Sequence, residues 1–128
     1  MNVLTTSGVQ ISVSTEFRKD LSEPSDQEYL YNYSIEVRNL NDFDIQLISR
    51  DWYIFDSLGE PRYVNGPGVV GKQPVIKSGE SFCYTSACDL SSDIGMMKGF
   101  YTFKNMIGEG LFEVFVPTFR LEYTPKLN

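Results

Sequence analysis

Three glycines and a lysine in the middle of the chain match the opening of two phosphate-binding motifs. Gly66, Gly68 and Gly71 spell G-x-G-x-x-G, and extension to Lys72 gives G-x-x-x-x-G-K. Both motifs require a helix directly after the loop, because the helix N-terminus carries much of the phosphate binding. Pro74 follows too closely for such a helix to begin. We therefore interpret the glycines as fixing the backbone of a connection between two strands.

The same segment is nevertheless our candidate binding site, and we call residues 66–72 the glycine loop. Successive backbone N–H groups in a glycine-rich turn can form an anion-binding nest without a helix, and a neighbouring lysine adds positive charge. Loops held by a rigid β scaffold often carry recognition. The predicted site consists of Gly66, Gly68, Val69, Gly71 and Lys72. Its occupant is either a protein partner or a small phosphate-bearing ligand.

Arg50 is an additional candidate for this site. It stands two residues before Trp52, the single tryptophan, and in a regular strand residues i and i+2 share one face. A large aromatic residue in a β-rich chain is expected to lie at the centre of the core. Arg50 is thus predicted to pair with another group or to mark a strand end.

The chain offers no recognisable catalytic constellation. It contains no histidine, which removes the commonest acid/base and the commonest transition-metal ligand. Serine and threonine nucleophiles therefore lack a histidine base. Cys83 and Cys88 are too few for a zinc site, and their odd spacing places them on opposite faces of a strand. We predict two reduced cysteines, no catalytic residue, no metal site and no cofactor, and we favour a binding protein over an enzyme.

Four aspartates occur close together around the third predicted strand. They are Asp42, Asp44, Asp51 and Asp56. A hard cation such as Mg²⁺ uses only one or two carboxylates plus water, so clustering alone does not indicate a metal site. We interpret all four as solvated residues of turns and strand edges.

Net charge and hydropathy exclude several classes of partner. The formal net charge of −6 opposes nucleic-acid binding, which normally needs a basic surface. No stretch approaches the roughly 20 consecutive apolar residues of a membrane span, and the N-terminus does not resemble a signal peptide. We expect a cytoplasmic protein that binds no nucleic acid and has no membrane span.

Alternation of apolar and polar residues dominates the chain and predicts β-strands. The first is residues 8–17, where Val9, Ile11 and Val13 recur at period two. Further strands are predicted at 29–40, 45–55, 61–64, 81–86, 99–104 and 112–123, with a turn at 108–110 and a bulge at Pro117. Residues 18–28 and 65–74 are predicted loops, and 89–97 is predicted to hold one helical turn.

This pattern predicts an all-β fold, an immunoglobulin-like or fibronectin type III-like β-sandwich of seven to eight antiparallel strands. Turn signals recur about every ten residues and no amphipathic helix intervenes, which is typical of a sandwich. We predict a single domain over residues 1–128. Strand 8–17 and the strand after Pro61 are expected to be exposed edges, which makes a homodimer a further prediction.

Several sequence blocks together resemble the ApaG family. They are 46–52 (QLISRDW), 66–74 (GPGVVGKQP), 78–80 (SGE), 84–86 (YTS), 97–99 (MKG) and 116–119 (VPTF). The resemblance implies a fibronectin type III-like sandwich and an association with cobalt resistance and magnesium efflux. It implies no enzyme activity common to the family.

Two functions follow as hypotheses. The first is a non-enzymatic binding module that acts in Co²⁺ and Mg²⁺ homeostasis through a protein partner. The alternative is a nucleotide- or pyrophosphate-binding protein, a sensor or an enzyme, that uses the glycine loop.

Overall fold

The computed structural model describes residues 2–108 and 110–123, and within them the chain forms nine β-strands. In chain order they are β1 (Asn2–Thr6), β2 (Val9–Phe17), β3 (Tyr29–Asn39), β4 (Ile45–Asp56), β5 (Arg62–Pro67), β6 (Val75–Ile76), β7 (Ser81–Leu90), β8 (Ile94–Asn105) and β9 (Leu111–Glu122). Two short 3₁₀ turns, Lys19–Leu21 and Pro24–Asp26, interrupt the connection between β2 and β3. In the part of the chain that the structure describes, no helical segment has the length and apolar character of a membrane span.

The strands form two antiparallel sheets that pack as a sandwich. One sheet has the order β1-β2-β3-β7 and the other has the order β5-β4-β8-β9, with β6 pairing the start of β4. The predicted all-β sandwich is confirmed. Two more strands occur than the sequence analysis indicated, because β1 is almost entirely exposed and so shows no buried face, and β6 has only two residues.

The core lies between the sheets and follows the predicted alternation. Buried residues recur at every second position of β2, β3 and β9, as in Val9, Ile11 and Val13. Trp52 is 3% exposed and meets the rings of Tyr33, Tyr101 and Phe119 edge-on. Its predicted central position is confirmed. Edge-to-face pairs of this kind add to the stabilisation from burial alone.

A bulge interrupts the pairing of β8 with β9, as the proline in β9 predicted. Met97 pairs with Phe119 and Gly99 pairs with Val116, so Lys98 of β8 lies opposite two residues of β9, Pro117 and Thr118. Proline cannot donate a ladder hydrogen bond, and a bulge is one of the places in a sheet where it is tolerated. The strand continues beyond the bulge to Glu122.

Two local predictions are wrong. Residues 89–97 contain no helical turn, because β7 continues to Leu90 and β8 begins at Ile94, which leaves a short turn. The predicted first strand is not an edge, because β1 covers β2 on the side away from β3. β5 is an edge, since it pairs only with β4 among the described residues. Of the predicted turn at 108–110, Glu109 lies outside the described residues.

The sandwich is closed on one side by β1 and β9. The Asn2 side chain donates to the carbonyl of Thr118 at 3.4 Å, and the Ser7 hydroxyl donates to the carbonyl of Glu113 at 3.5 Å. On the opposite side the edge strands β5 and β7 are joined by the ion pair between Arg62 and Asp89, 3.2 Å apart. The glycine loop begins within the last two residues of β5, on this second side.

Candidate functional site

The glycine loop begins as the end of an edge strand. Gly66 and Pro67 are the last residues of β5, where they pair with Arg50 and Ser49 of β4. The predicted loop at 65–74 is therefore wrong for its first three residues. Glycine and proline exclude a helix and a central strand, but both are tolerated at the end of an edge strand, which has no second neighbour.

Beyond β5 the chain makes a two-residue hairpin turn. The amide of Val69 donates to the carbonyl of Lys72 at 2.8 Å, and the amide of Lys72 donates back to Val69 at 2.9 Å. Val70 and Gly71, the two central residues, have φ values of 45° and 76°. Positive φ at both positions is characteristic of a type I′ turn, whose twist matches that of the flanking strands.

Gly68 is required by both its backbone angle and its surroundings. Its φ is 61°, and a Cβ atom there would lie 2.0 Å from the carbonyl oxygen of Lys72. Any side chain would push the hairpin apart. Glycine is needed here because of the positive φ and the close approach of the returning strand.

Val70 was not among the predicted site residues, yet it is the most unusual residue of the turn. A β-branched residue at positive φ is a genuine conformational outlier, and such strain costs on the order of 1–3 kcal/mol. Its side chain is 50% exposed, whereas that of the neighbouring Val69 is 1% exposed and anchors the turn in the core. The signal that could have revealed Val70 is its position immediately before Gly71, because type I′ turns prefer Asn-Gly over Val-Gly.

Most amides of the predicted anion nest already have acceptors in the protein. The amide of Gly68 donates to the carbonyl of Ile48 at 2.8 Å, and those of Val69 and Lys72 close the turn. Val70 and Gly71 donate no backbone hydrogen bond to another described residue. An anion at the turn would therefore meet two amides and the Lys72 amine.

The Arg50 side chain binds the backbone of the glycine loop and holds it in place. One nitrogen of its guanidinium, Nη1, donates to the carbonyls of Pro67 and Gly68, each at 3.0 Å. A Cβ at Gly66 would lie 3.2 Å from the same nitrogen, so the absence of a side chain at Gly66 makes room for the arginine. Arg50 is therefore paired with other groups, as one of its two predicted roles required, and those groups are two backbone carbonyls. Arg50 shapes the loop rather than lying at its tip.

Three tyrosines lie behind Arg50 in the core. Tyr33, Tyr84 and Tyr101 are buried, and the hydroxyls of Tyr84 and Tyr101 are hydrogen-bonded to each other. Burial raises the pKa of all three phenols. They remain protonated at neutral pH, so they can donate hydrogen bonds but cannot act as bases.

The two cysteines are free and lie on opposite faces of β7, as predicted. Cys83 is exposed and Cys88 is buried. Burial raises the pKa of the Cys88 thiol to about 11, although Arg62 lies close to it. A thiol with so high a pKa is a poor nucleophile.

The aspartates do not converge on one point, and the prediction that all four are solvated is wrong for Asp56, whose hydrogen bonds are partly buried. Asp56 accepts hydrogen bonds from the Ser91 amide and the Ser92 hydroxyl, both at 2.6 Å. Asp44 accepts from the Ser78 amide at 3.0 Å. The described part of the chain contains no group of three or more His, Cys, Asp or Glu side chains arranged to hold a metal ion.

Comparison with known proteins identifies relatives across most of the chain. Residues 19–105 match the ApaG domain. Protein ApaG of Methylobacterium radiotolerans is 43% identical over 91% of this chain and 89% of its own length, and Protein ApaG of Mesorhizobium japonicum is 41% identical over the same shares. A crystal structure of a Bordetella pertussis protein given the name ApaA superposes with a TM-score of 0.85 at 38% identity, covering 89% of this chain and 92% of that one. The chain therefore belongs to the ApaG domain family.

Proposed function

We propose that the protein is a non-enzymatic binding module of the cytoplasm that engages a protein partner through the tip of the glycine loop. The observation that carries this proposal is Val70, a strained and exposed valine at the centre of a turn. An apolar side chain at this point helps neither the turn, which prefers asparagine, nor the core, which it does not reach. Strain retained at an exposed position is a reason to look for recognition there.

The surroundings of Val70 suit a rigid recognition element. Arg50 fixes the carbonyls on one side of the turn, Val69 anchors it in the core, and the Gln73 side chain donates to the carbonyl of Ile48 at 2.8 Å. A loop already held in its bound shape loses little conformational entropy when a partner docks.

The biological setting in this proposal is divalent-cation homeostasis, for Co²⁺ and Mg²⁺. It is supported by the family resemblance of the blocks 46–52 and 66–74 rather than by a geometric feature. In this setting the module acts by binding a protein that itself handles the ion.

A Val70→Asn variant tests the partner function because it separates recognition from stability. Asparagine tolerates positive φ, so we expect the free energy of unfolding to rise by about 1 kcal/mol as the strain is relieved. Immobilised wild-type protein is used to capture partners from cells grown with and without added cobalt. A partner that needs the valine is retained by wild type and lost by the more stable variant.

The matched control is Val3→Asn, which replaces an equally exposed valine on β1, away from the glycine loop. It is expected to retain the partner. If Val70→Asn captures the same proteins as wild type, Val70 is not the recognition element and the proposal fails. A gain in stability without any loss of binding would leave no role for the strain.

A second candidate function is binding of pyrophosphate or a nucleotide at the same turn. It is favoured by the amides of Val70 and Gly71, which donate to no other described backbone group, and by the adjacent residue Lys72. NMR titration with pyrophosphate should shift the amide signals of residues 70–72, Lys72→Ala should weaken the effect, and high salt should screen it. Val70→Asn keeps both amides, so it should bind the anion normally. The two functions thus give opposite results with one variant.

A homodimer through β5 is the remaining proposal about partners. Among residues 2–108 and 110–123, β5 pairs on one side only, with β4, and proteins either protect such an edge or use it for pairing. Light scattering at increasing concentration measures it directly, and a constant monomer mass would exclude it.

A further inference from the structure

A groove of about 610 Å³ lies on the outer face of the β5-β4-β8-β9 sheet, away from the glycine loop. We call it the aromatic groove. Its principal lining residues are Leu4, Tyr53, Phe55, Lys98, Phe100 and Phe115. The volume is within the range of small-molecule sites, which are mostly apolar with a few placed polar groups.

The walls of the aromatic groove are exposed rings rather than edges of the core. Phe115 is 47% exposed and Tyr53 is 38% exposed. Phe100 meets Phe115 edge-on with ring centroids 6.1 Å apart, and Tyr53 lies 4.9 Å from the ring of Tyr63. Contiguous exposed aromatic residues on a sheet are uncommon in monomeric proteins and mark binding surfaces.

Strand alternation places a cation in this groove. Lys98 stands two residues before Phe100 on β8 and shares its outer face, opposite the bulge residues Pro117 and Thr118. Its Nζ atom lies 5.6 Å from the centre of the Phe55 ring. No carboxylate of the described residues lies within 4 Å of that amine, so its charge is available to a ligand.

The charged groups of this face carry both signs. Asp51 pairs with Phe100 across the strands and accepts a hydrogen bond from the Tyr63 hydroxyl, and Glu113 and Arg120 of β9 lie on the same face. Lys98 is the charged residue that lines the groove, so the groove offers one cation, which matches one anionic group on a ligand.

We infer that the aromatic groove binds a small organic monoanion with an aromatic ring, such as an aromatic carboxylate. The ring stacks among Tyr53, Phe55 and Phe115, and the anionic group pairs with Lys98. This site is independent of the proposed partner site at Val70, because it lies on the outer face of the sheet and uses none of the residues of the glycine loop.

Two fluorescent probes that differ only in charge test the inference. One is 1-anilinonaphthalene-8-sulfonate, an aromatic monoanion, and the other is N-phenyl-1-naphthylamine, which lacks the sulfonate. We expect Lys98→Met to weaken binding of the sulfonate about fivefold, as for a partly solvated ion pair, and to leave binding of the neutral probe unchanged. In the ¹⁵N-labelled protein the sulfonate should shift the amides of residues 98–100 and 115–118.

Lys104→Met is the matched control, since Lys104 lies on the same strand and the same face but does not line the groove. It should bind both probes as wild type does. Phe115→Ser, at an exposed position, should weaken both probes by about tenfold through loss of apolar contact. Circular dichroism of each variant verifies folding before the titration.

Three results would overturn the inference. Equal effects of Lys98→Met on both probes, or no effect on either, would show that the amine does not select an anion. Shifts confined to other amides would place the probe elsewhere. Concentration-dependent shifts of the groove amides without ligand, together with a dimer mass, would show that a second copy of the chain occupies the groove instead.

Discussion

The outer faces of the two sheets have opposite chemistry although the same core lies beneath both. On the β1-β2-β3-β7 sheet a shallow groove of about 530 Å³ is lined mainly by small and polar residues, among them Ser12, Ser14, Ser34, Glu36 and Thr85. On the other sheet the outer face carries the aromatic groove. Both sheets bury alternate residues against each other, so the sandwich itself requires neither kind of outer face.

The difference means that an aromatic outer face is not a requirement of the fold. Exposed rings raise the tendency to associate, whereas hydroxyls such as the Ser34–Thr85 pair, 2.9 Å apart across β3 and β7, interact with water at no such cost. A protein that needed only the fold could have had polar residues on both faces. The predictions below test whether the two faces differ in this way.

The largest effect on the free energy of unfolding is expected at Gly99. This residue lies where the β5-β4-β8-β9 sheet, which carries the aromatic groove, meets the core. A Cβ there would lie 2.1 Å from the carbonyl oxygen of Asp51 and 2.9 Å from the Trp52 ring. Gly99→Ala must move the backbone of β4 or the tryptophan, and we expect a loss of about 3 kcal/mol in the free energy of unfolding. Urea denaturation measures it. Gly108→Ala, which meets nothing within 4 Å, should unfold like wild type.

If Gly99→Ala and Gly108→Ala were equally stable, β8 would not pack tightly against Asp51 and Trp52 of β4 at position 99. The comparison of the two faces would then lose its basis, since the outer residues of β8 could shift with the strand.

The next largest effect on the free energy of unfolding is expected at Asp56. This residue at the end of β4 is hydrogen-bonded to the turn between β7 and β8, which crosses from one sheet to the other. Burial alone would raise the pKa of this carboxyl, but hydrogen bonds from the Ser91 amide, the Ser92 hydroxyl and the Leu58 amide outweigh it and lower the pKa. We expect Asp56→Asn to cost about 2 kcal/mol near neutral pH, since it turns an acceptor of these bonds into a donor.

The pH dependence of that loss follows from the lowered pKa of Asp56. The stabilisation is fully present above the unfolded-state pKa of about 3.9 and is lost as the pH falls through the lower folded-state value. Urea midpoints of wild type and Asp56→Asn should therefore converge at acidic pH. A gap that stays constant to low pH would show that the ionised carboxylate is not what holds the turn.

The smallest effects are expected on the outer faces themselves. Phe115→Ser and Ser34→Ala, one on each sheet, should each change the free energy of unfolding by no more than about 0.5 kcal/mol. Chemical denaturation of both variants provides the measurement. A loss of several kcal/mol for Phe115→Ser would make the aromatic face a structural feature and would remove the contrast with the polar face.

Strand positions could be predicted from alternation because each strand has one buried face. Val9, Ile11 and Val13 revealed β2, and the proline at position 117 revealed the bulge in β9. β1 could not be found this way, because its stability depends on pairing with β2 and not on a buried face of its own.

The candidate sites were harder to predict because they depend on neighbours distant in sequence. Phe100 and Tyr101 are adjacent aromatics, and only the pairing with β4 and β9 decides that Tyr101 is inside and Phe100 outside. The strain at Val70 is visible only in its φ angle, and the hydrogen bonds of Asp56 come from serines 35 and 36 positions away. The glycine motif identifies a candidate loop, but it does not show how many of the loop amides already have acceptors within the protein.

The closure of the sandwich by its first and last strands has a consequence for synthesis. Asn2 and Thr118 are 116 positions apart and become neighbours only when β9 reaches the side of β1. At a translation rate of roughly 5–20 residues per second, the β1-β2-β3 hairpins wait about 5–20 seconds on the ribosome with their apolar inner faces uncovered. Topologies dominated by such distant pairings also fold slowly, in milliseconds to seconds. The growing chain therefore passes through an interval in which Val9, Ile11 and Val13 are open to chaperones or to the same segment of another nascent chain.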